Sequence, residues 1–417
     1  MKHVIIGNGP AGVVAAETLR KADPGCSITL VGDEPEPPYS RMALPYFMMG
    51  DIGEAGTYLR KSEGHFVAQR IDLVRGRAAS IDPNAHAVRL QDGTVLTYDR
   101  LLVATGAHAI KPPIPGVDLP GVHACWTMED ARRIIARARP GSRVLQIGAG
   151  FIGCIIMEAL VNRGVQLTIV EMGDRMVPRM MTPVAGNLIR AWCERKGNAV
   201  HTSARVVAIA NSAADEDALV AMLDSGQTLE TDLVIVAAGV RPNTAFLAGS
   251  GVACATGVLV DAGMRSSVRG IYAAGDVAEG IDVSTGKRTV NAIQPTAVEQ
   301  ARLAALNMAG RGISTRGNLV LNVLDTLGLV ATSFGQWAGV PGGEQAELVD
   351  ADAFRYLSLQ FHGDVLVGAT ALGLTQHVGV LRGLIESRVP LGPWKARLLE
   401  NPLLVVEAYL ASAQAAA

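Results

Sequence analysis

Apolar residues gather along the chain in short runs, each closed by glycine or proline. The first run, His3-Val4-Ile5-Ile6, stops at Gly7. Helical spacing follows over Ala11–Arg20, then a second apolar run over Ser27–Val31. A short apolar run reads as a buried strand, and the switch of period reads as a strand–turn–helix–strand unit. The pattern returns further on, with Val144–Ile147, a Gly-rich turn at Gly148–Gly153, a helical run and Leu167–Val170. Further strands are predicted at Arg100–Gly106, at Leu233–Val236 before Ala237-Ala238-Gly239, and at Gly270–Asp276. A hairpin is predicted from Ala87–Leu90, the Asp92-Gly93 turn and Val95–Thr97. A helix over Thr296–Met308 comes next.

Two proline-rich stretches interrupt the pattern. Pro35–Tyr39 reads as an irregular loop. Lys111–Pro120 carries four prolines and reads as a domain crossing. Beyond Arg311 the pattern becomes strands at Leu319–Val323, Phe354–Gln360 and Val365–Ala369, then helices at Val378–Ser387 and Pro402–Ala411. An α/β fold with two Rossmann-like units and a C-terminal α+β domain is the expectation.

The two Gly-rich turns carry the candidate chemistry. They are Gly7-Asn8-Gly9-Pro10-Ala11-Gly12 and Gly148-Ala149-Gly150-Phe151-Ile152-Gly153. Such a turn lets backbone N–H groups approach a pyrophosphate, and the helix start adds positive potential. An acidic pair, Asp33-Glu34, follows the second strand of the first unit, and Glu171 holds the same place in the second. A carboxylate there accepts hydrogen bonds from a ribose diol. It also repels the 2′-phosphate of NADPH, so Glu171 favours NADH. Arg175 either softens that preference or forms a surface ion pair. Two dinucleotide sites in one chain point to electron transfer between them.

Composition narrows the class. The chain has 417 residues, 49% of them hydrophobic, enough for two or three domains. Lys and Arg total 37 against 39 Asp and Glu, which argues against a general nucleic-acid binder. No apolar stretch is long enough to span a bilayer, and the first strand leaves no room for a signal peptide. The five cysteines are scattered without a CxxC pair, which fits a reducing cytoplasm. The eight histidines show no metal-ligand spacing, so no metal is expected. Arg132, Arg133, Arg137, Arg139 and Arg143 form a cluster that is either a solvated helix face or a dock for an acidic carrier. Trp337 is either a core or interface residue or a stacking group.

The ordered set GNGPAG, VATG, GAGFIG, VAAGVRPN and YAAGD resembles the pyridine nucleotide–disulfide oxidoreductase superfamily. The loop PYSRMALPY, the segment IQPTAVEQA and the C-terminal DVLVGATALG and LRGLIES are similar to its NADH–rubredoxin reductase and nitrite reductase flavin-domain branch. The resemblance implies an FAD domain of residues 1–108 and 241–312, split by an NAD(P) domain of 109–240 and followed by an interface domain of 313–417. It implies FAD contacts from Gly7, Gly9, Pro10, Ala11, Gly12, Asp33, Glu34, Arg41, Ala104, Thr105, Gly106, Gly275, Asp276, Pro295 and Thr296. Asp276 would bind ribityl hydroxyls, and the helix near Thr296 would point its N-terminus at the flavin carbonyl edge. NAD contacts would come from Gly148, Gly150, Phe151, Ile152, Gly153, Glu171, Ala238 and Gly239.

Three departures from the family pattern bear on function. Disulfide reductases need a CxxxxC pair beside the flavin, and NADH oxidases a single Cys in the loop after the second strand. The loop from Asp33 to Gly50 contains no cysteine, so no thiol relay is expected. Ile155 stands where many relatives carry Glu, and Tyr46 where ferredoxin-reducing relatives often carry Lys. No protein acid, base or nucleophile is required, because the flavin supplies the chemistry. The expected activity is NADH oxidation by an FAD enzyme, with electrons leaving singly to a rubredoxin- or ferredoxin-type carrier. Two alternatives stay open: a flavin-binding subunit of a larger oxidoreductase complex, and a non-catalytic flavoprotein with vestigial NAD binding.

Overall fold

The two Gly-rich units form two separate parallel sheets. A computed structural model describes residues 1–415. It divides into two units by internal contact. The first comprises residues 1–108, 240–282 and 286–318; the second comprises 109–239, 283–285 and 319 onward.

The first unit is built on a five-stranded parallel sheet. Its strand order is Ile271–Ala273, Arg100–Val103, Lys2–Ile6, Ser27–Gly32, Ile71–Arg75. The central strands are apolar on both faces, as a sheet covered by helices requires. Ile5, Leu30, Leu101 and Leu102 are fully buried. Helix Pro10–Ala22 packs its Val13, Ala16 and Leu19 into this core beside helix Gln294–Met308. The latter helix presents Ala297, Ala301, Ala304 and Ala305, small residues that let two helices lie close. The hairpin Ala87–Leu90 and Val95–Thr97 forms as predicted and is extended by Ala78–Asp82.

The second unit holds another parallel sheet, ordered Ala199–His201, Gln166–Val170, Arg143–Ile147, Leu233–Val236, Val122–Ala124. It carries a three-stranded antiparallel sheet, Val206–Asn211, Leu219–Leu223 and Thr228–Thr231. The unit also contains a five-stranded antiparallel sheet, ordered Leu321–Thr326, Leu329–Gly335, Val365–Leu372, Arg355–His362, Glu344–Asp350. Helices Val378–Ser387, Pro393–Glu400 and Val405–Ala415 cover one face through Leu381, Leu384, Leu398 and Ala408, against Phe334, Leu359 and Phe361. The other face carries a polar row across all five strands: Asn322, Ser333, Thr370, Ser358 and Glu347. The strand expected at Leu319–Val323 runs instead over Leu321–Thr326. The helix expected at Pro402–Ala411 opens with a 3-10 turn, Pro402–Leu404, because Pro402 ends the preceding backbone pairing and Asn401 caps Leu403.

Candidate functional site

Two of the three glycines of the first turn are required by protein atoms, and the third is not. Gly7 has φ +110, and a Cβ there would lie 2.1 Å from the carbonyl oxygen of Ala104. The first strand and the strand Arg100–Val103 can meet only over a glycine. A Cβ on Gly12 would lie 1.8 Å from the carbonyl oxygen of Gly7, so the helix can pack on its own turn only without one. Gly9 differs: it has φ −71, and a Cβ there meets nothing within 4 Å. No protein atom requires this glycine. It stands at the start of helix Pro10–Ala22, which has no side-chain cap and no acid in its first turn. Open space, unclaimed N–H donors and positive helix potential together suit an anionic group.

Other groups of this unit converge on the same turn. Gly275 sits between Ala11 and Ala297, whose Cβ atoms would lie 3.2 and 3.5 Å from a Cβ there. Its N–H donates to Gln300 Oε1 at 2.9 Å. This contact brings the Gly275-Asp276 turn against the starts of both helices. Burial pushes the Asp276 carboxyl above its usual range, while the charge of Arg41 acts in the opposite sense. Arg41 also pairs with Glu34 at 2.5 Å, so one guanidinium faces two of the expected cofactor carboxylates. Asp33 is exposed and lies 3.9 Å from Arg77. Thr296 is buried and accepts from Asn291 Nδ2 at 3.2 Å. Pro295 stands in the first turn of its helix, which begins at Gln294 rather than Thr296.

Three supporting residues were not singled out from sequence. Tyr39 is buried and donates its hydroxyl to Glu34 Oε2 at 2.5 Å. Ser40 donates to Gln294 Oε1 at 2.7 Å, fastening the PYSR loop to the helix start. Asn243 donates Nδ2 to the Thr105 carbonyl at 2.8 Å and its own N–H to the Gly106 carbonyl at 2.9 Å. Its carbonyl accepts from Thr105 Oγ1 at 2.9 Å, so Asn243 clamps the Ala104-Thr105-Gly106 turn. Each lies within a quoted motif, but its partner is distant in sequence.

The second turn repeats the geometry. Gly148 has φ +100 and would meet the Ala237 carbonyl at 2.5 Å. Gly153 would meet the Gly148 carbonyl at 2.5 Å, and Gly150 again meets nothing within 4 Å. Helix Phe151–Asn162 starts there without a side-chain cap or an acid in its first turn. Phe151 and Ile152 are half-buried beside it, and the Ala238-Gly239 turn ends the adjacent strand. Glu171 is 7% exposed and accepts the N–H of Ala149 and of Gly173, each at 2.7 Å. It therefore braces the turn as well as facing it, a role its position alone did not reveal. Arg175 pairs with Asp174 at 2.7 Å and donates to the carbonyls of Met181 and Pro178. That fits the ion-pair reading of Arg175.

Cys26, Cys125, Cys154 and Cys193 are buried and Cys254 is exposed; burial pushes all five cysteines above the usual thiol range, Cys125 and Cys193 to about 12. A protonated buried thiol is a poor nucleophile. Ile155 lies half-buried in helix Phe151–Asn162, and Tyr46 is 54% exposed on the short helix Leu44–Met49. Trp337 is half-buried just after strand Leu329–Gly335. Of the arginine cluster, Arg143 pairs with Asp232 and Glu230, and Arg133 pairs with Glu129. Those charges are met locally, which favours a solvated face over a dock.

The model of the pyridine nucleotide-disulphide oxidoreductase family matches residues 1–301. The chain belongs to that family. It is 34% identical over 409 residues to the NADH-dependent phenylglyoxylate dehydrogenase subunit epsilon of Aromatoleum evansii, covering 97% of this chain and 96% of that one. It is 32% identical over 401 residues to rhodocoxin reductase of Rhodococcus erythropolis, covering 95% and 92%. Among solved structures, the putidaredoxin reductase–putidaredoxin covalent complex aligns with a TM-score of 0.90 at 24% identity, covering 99% of each chain. That likeness establishes the shared fold of two Rossmann-like sheets and a C-terminal α+β domain. No helix among the described residues is long and apolar enough to cross a membrane.

Proposed function

We propose that this chain binds FAD at its first Gly-rich turn and NADH at its second, and that it delivers electrons one at a time to a small carrier protein in the cytoplasm. The observation that carries the reading is the pair Gly9 and Gly150. Both glycines face open space at an uncapped helix start, and family membership supplies the cofactor class. The residues fit FAD: an N–H cradle at Gly7–Gly12, Arg41 for the pyrophosphate, Glu34 or Asp33 for the adenosine ribose, and Asp276 for the ribityl chain. Thr105 and Gly106 would border the same site, and Pro295 and Thr296 open the helix whose N-terminus would face the flavin ring. Residues 1–108 with 241–312 would form the FAD domain, 109–240 the NAD domain and 313–417 an interface domain.

When bound, FAD accepts a hydride from NADH and can release the two electrons singly. The protein's part is to bind and orient. Gly148–Gly153 would cradle the NADH pyrophosphate, with Glu171 bonding the ribose and disfavouring NADPH. Ala238 and Gly239 would line the nicotinamide end. The raised thiols support electron release without a cysteine relay. Five cysteines without a disulfide suit a reducing compartment. Rhodocoxin reductase is named for a protein acceptor, which supports the carrier reading. The test is anaerobic: the purified yellow protein should bleach with NADH and recover its colour on adding oxidised rubredoxin or ferredoxin.

A second reading is favoured by the full-length match to a dehydrogenase subunit. The chain would then hand electrons within a larger complex. Bleaching by NADH without reduction of any free carrier would favour it.

A further inference from the structure

We propose that His3, Asp23 and Cys26 form a site for a soft divalent cation of the zinc class, in the first unit and apart from both Gly-rich turns. Their candidate ligand atoms all lie within 4.8 Å of one another. His3 is 1% exposed, and neither ring nitrogen has a hydrogen-bond partner. A buried polar group left unpaired is costly, and such groups are rare enough to need a physical cause. A cation bound by one ring nitrogen supplies that cause.

The other two groups complete a zinc-type donor set of imidazole, thiolate and carboxylate. Cys26 is 5% exposed. Asp23 is the C-cap residue of helix Pro10–Ala22; its Oδ1 accepts the Gly25 N–H at 3.2 Å, and Oδ2 remains for a metal. Zinc–ligand bonds of about 2.0–2.3 Å in tetrahedral geometry set ligand atoms about 3.3–3.7 Å apart, so binding would draw these groups together by up to about 1 Å. The surroundings mix charge: the terminal amine, Arg100 and Arg20 are positive, Asp99 negative. Arg20 Nη1 lies 3.7 Å from Cys26 Sγ, where it favours thiolate, and its N–H groups bond the carbonyls of Pro24, Cys26, Gln69 and Arg70. A bound divalent ion removes the thiol proton outright.

The ligands come from a strand, a helix end and the turn after it, so no local spacing betrays them. A metal here would pin the strand Lys2–Ile6 to the far end of the helix whose start forms the Gly9 cradle. It would stabilise the cradle without entering the redox chemistry.

The test uses the full flavin-loaded chain, purified without a metal-affinity tag, stripped with chelator and dialysed against limiting zinc. The expected result is stoichiometric zinc by elemental analysis and a higher thermal midpoint than the stripped protein. Cys26→Ser and Asp23→Asn should each lower zinc affinity at least about tenfold, while Cys254→Ser leaves it unchanged. Asp23 is partly exposed, so Asp23→Asn tests the site even if variants at His3 or Cys26 fold poorly. Cobalt in place of zinc should give a thiolate charge-transfer band in wild type that Cys26→Ser abolishes. Folded, flavin-loaded protein without stoichiometric zinc, or zinc retained equally by Asp23→Asn and Cys26→Ser, would overturn the proposal.

Discussion

At the residue scale, glycines that look equivalent in sequence answer to different neighbours. Gly12 is required by the Gly7 carbonyl, a backbone atom that cannot step aside. Gly12→Ala should therefore cost about 3 kcal/mol or more, or prevent folding, as read by urea denaturation. Gly9→Ala puts its methyl into open space, so stability should fall by under about 1 kcal/mol. The same variant should release FAD far more readily, measured as flavin lost on gel filtration. Equal behaviour of the two variants would remove the ligand argument. Glu171 allows a similar separation. Glu171→Ala would leave the N–H groups of Ala149 and Gly173 without their acceptor and so disturb the turn itself. Glu171→Gln keeps an acceptor and removes the charge. It should raise KM for NADH, narrow the preference over NADPH and leave kcat nearly unchanged, in steady-state assays with both nucleotides.

At the scale of elements, the parts legible in the sequence were those where period changes abruptly. The strand–glycine–helix units at Gly7 and Gly148 read directly, because a buried parallel strand is a continuous apolar run and the helix behind it is not. The hairpin at Asp92-Gly93 read for the same kind of reason. Strands Leu329–Gly335 and Glu344–Asp350 did not: the first sets Thr332 and Ser333 among apolar residues and the second is mostly polar, so neither shows a clear apolar run or alternation. Helix Pro393–Glu400 is short and was likewise hidden. At the second turn, the place of Glu171 after its strand was legible, and its bonds to Ala149 and Gly173 were not. Tyr39, Ser40 and Asn243 act on partners that only folding brings near. The C-terminal sheet depends on its apolar face, where Phe361 is fully buried. Phe361→Ala should cost about 3–5 kcal/mol in that unit by chemical denaturation. The buried thiols of Cys154 and Cys193 belong to helix packing. Replacing all five cysteines by Ser or Ala should lower stability yet preserve flavin reduction by NADH, followed as bleaching. A charge-transfer band that vanishes with one cysteine would contradict this.

For the whole molecule, the reading rests on two Gly-rich sheets in one chain, each ending in a cradle that the protein itself leaves open. Under the proposed function the first would hold the flavin and the second the nicotinamide, with the flavin as the point of electron release. Arg133 already faces Glu129, so reversing its charge should leave the rate of carrier reduction at low salt nearly unchanged. Anaerobic titration of the purified chain with NADH, followed by oxidised rubredoxin and ferredoxin in turn, decides whether electrons follow this route. One NADH should bleach one flavin, and the reduced flavin should then reduce a pair of carrier molecules, one electron to each. A flavin that NADH does not bleach, or one that bleaches and then passes electrons only to oxygen or a bound small molecule, would contradict it.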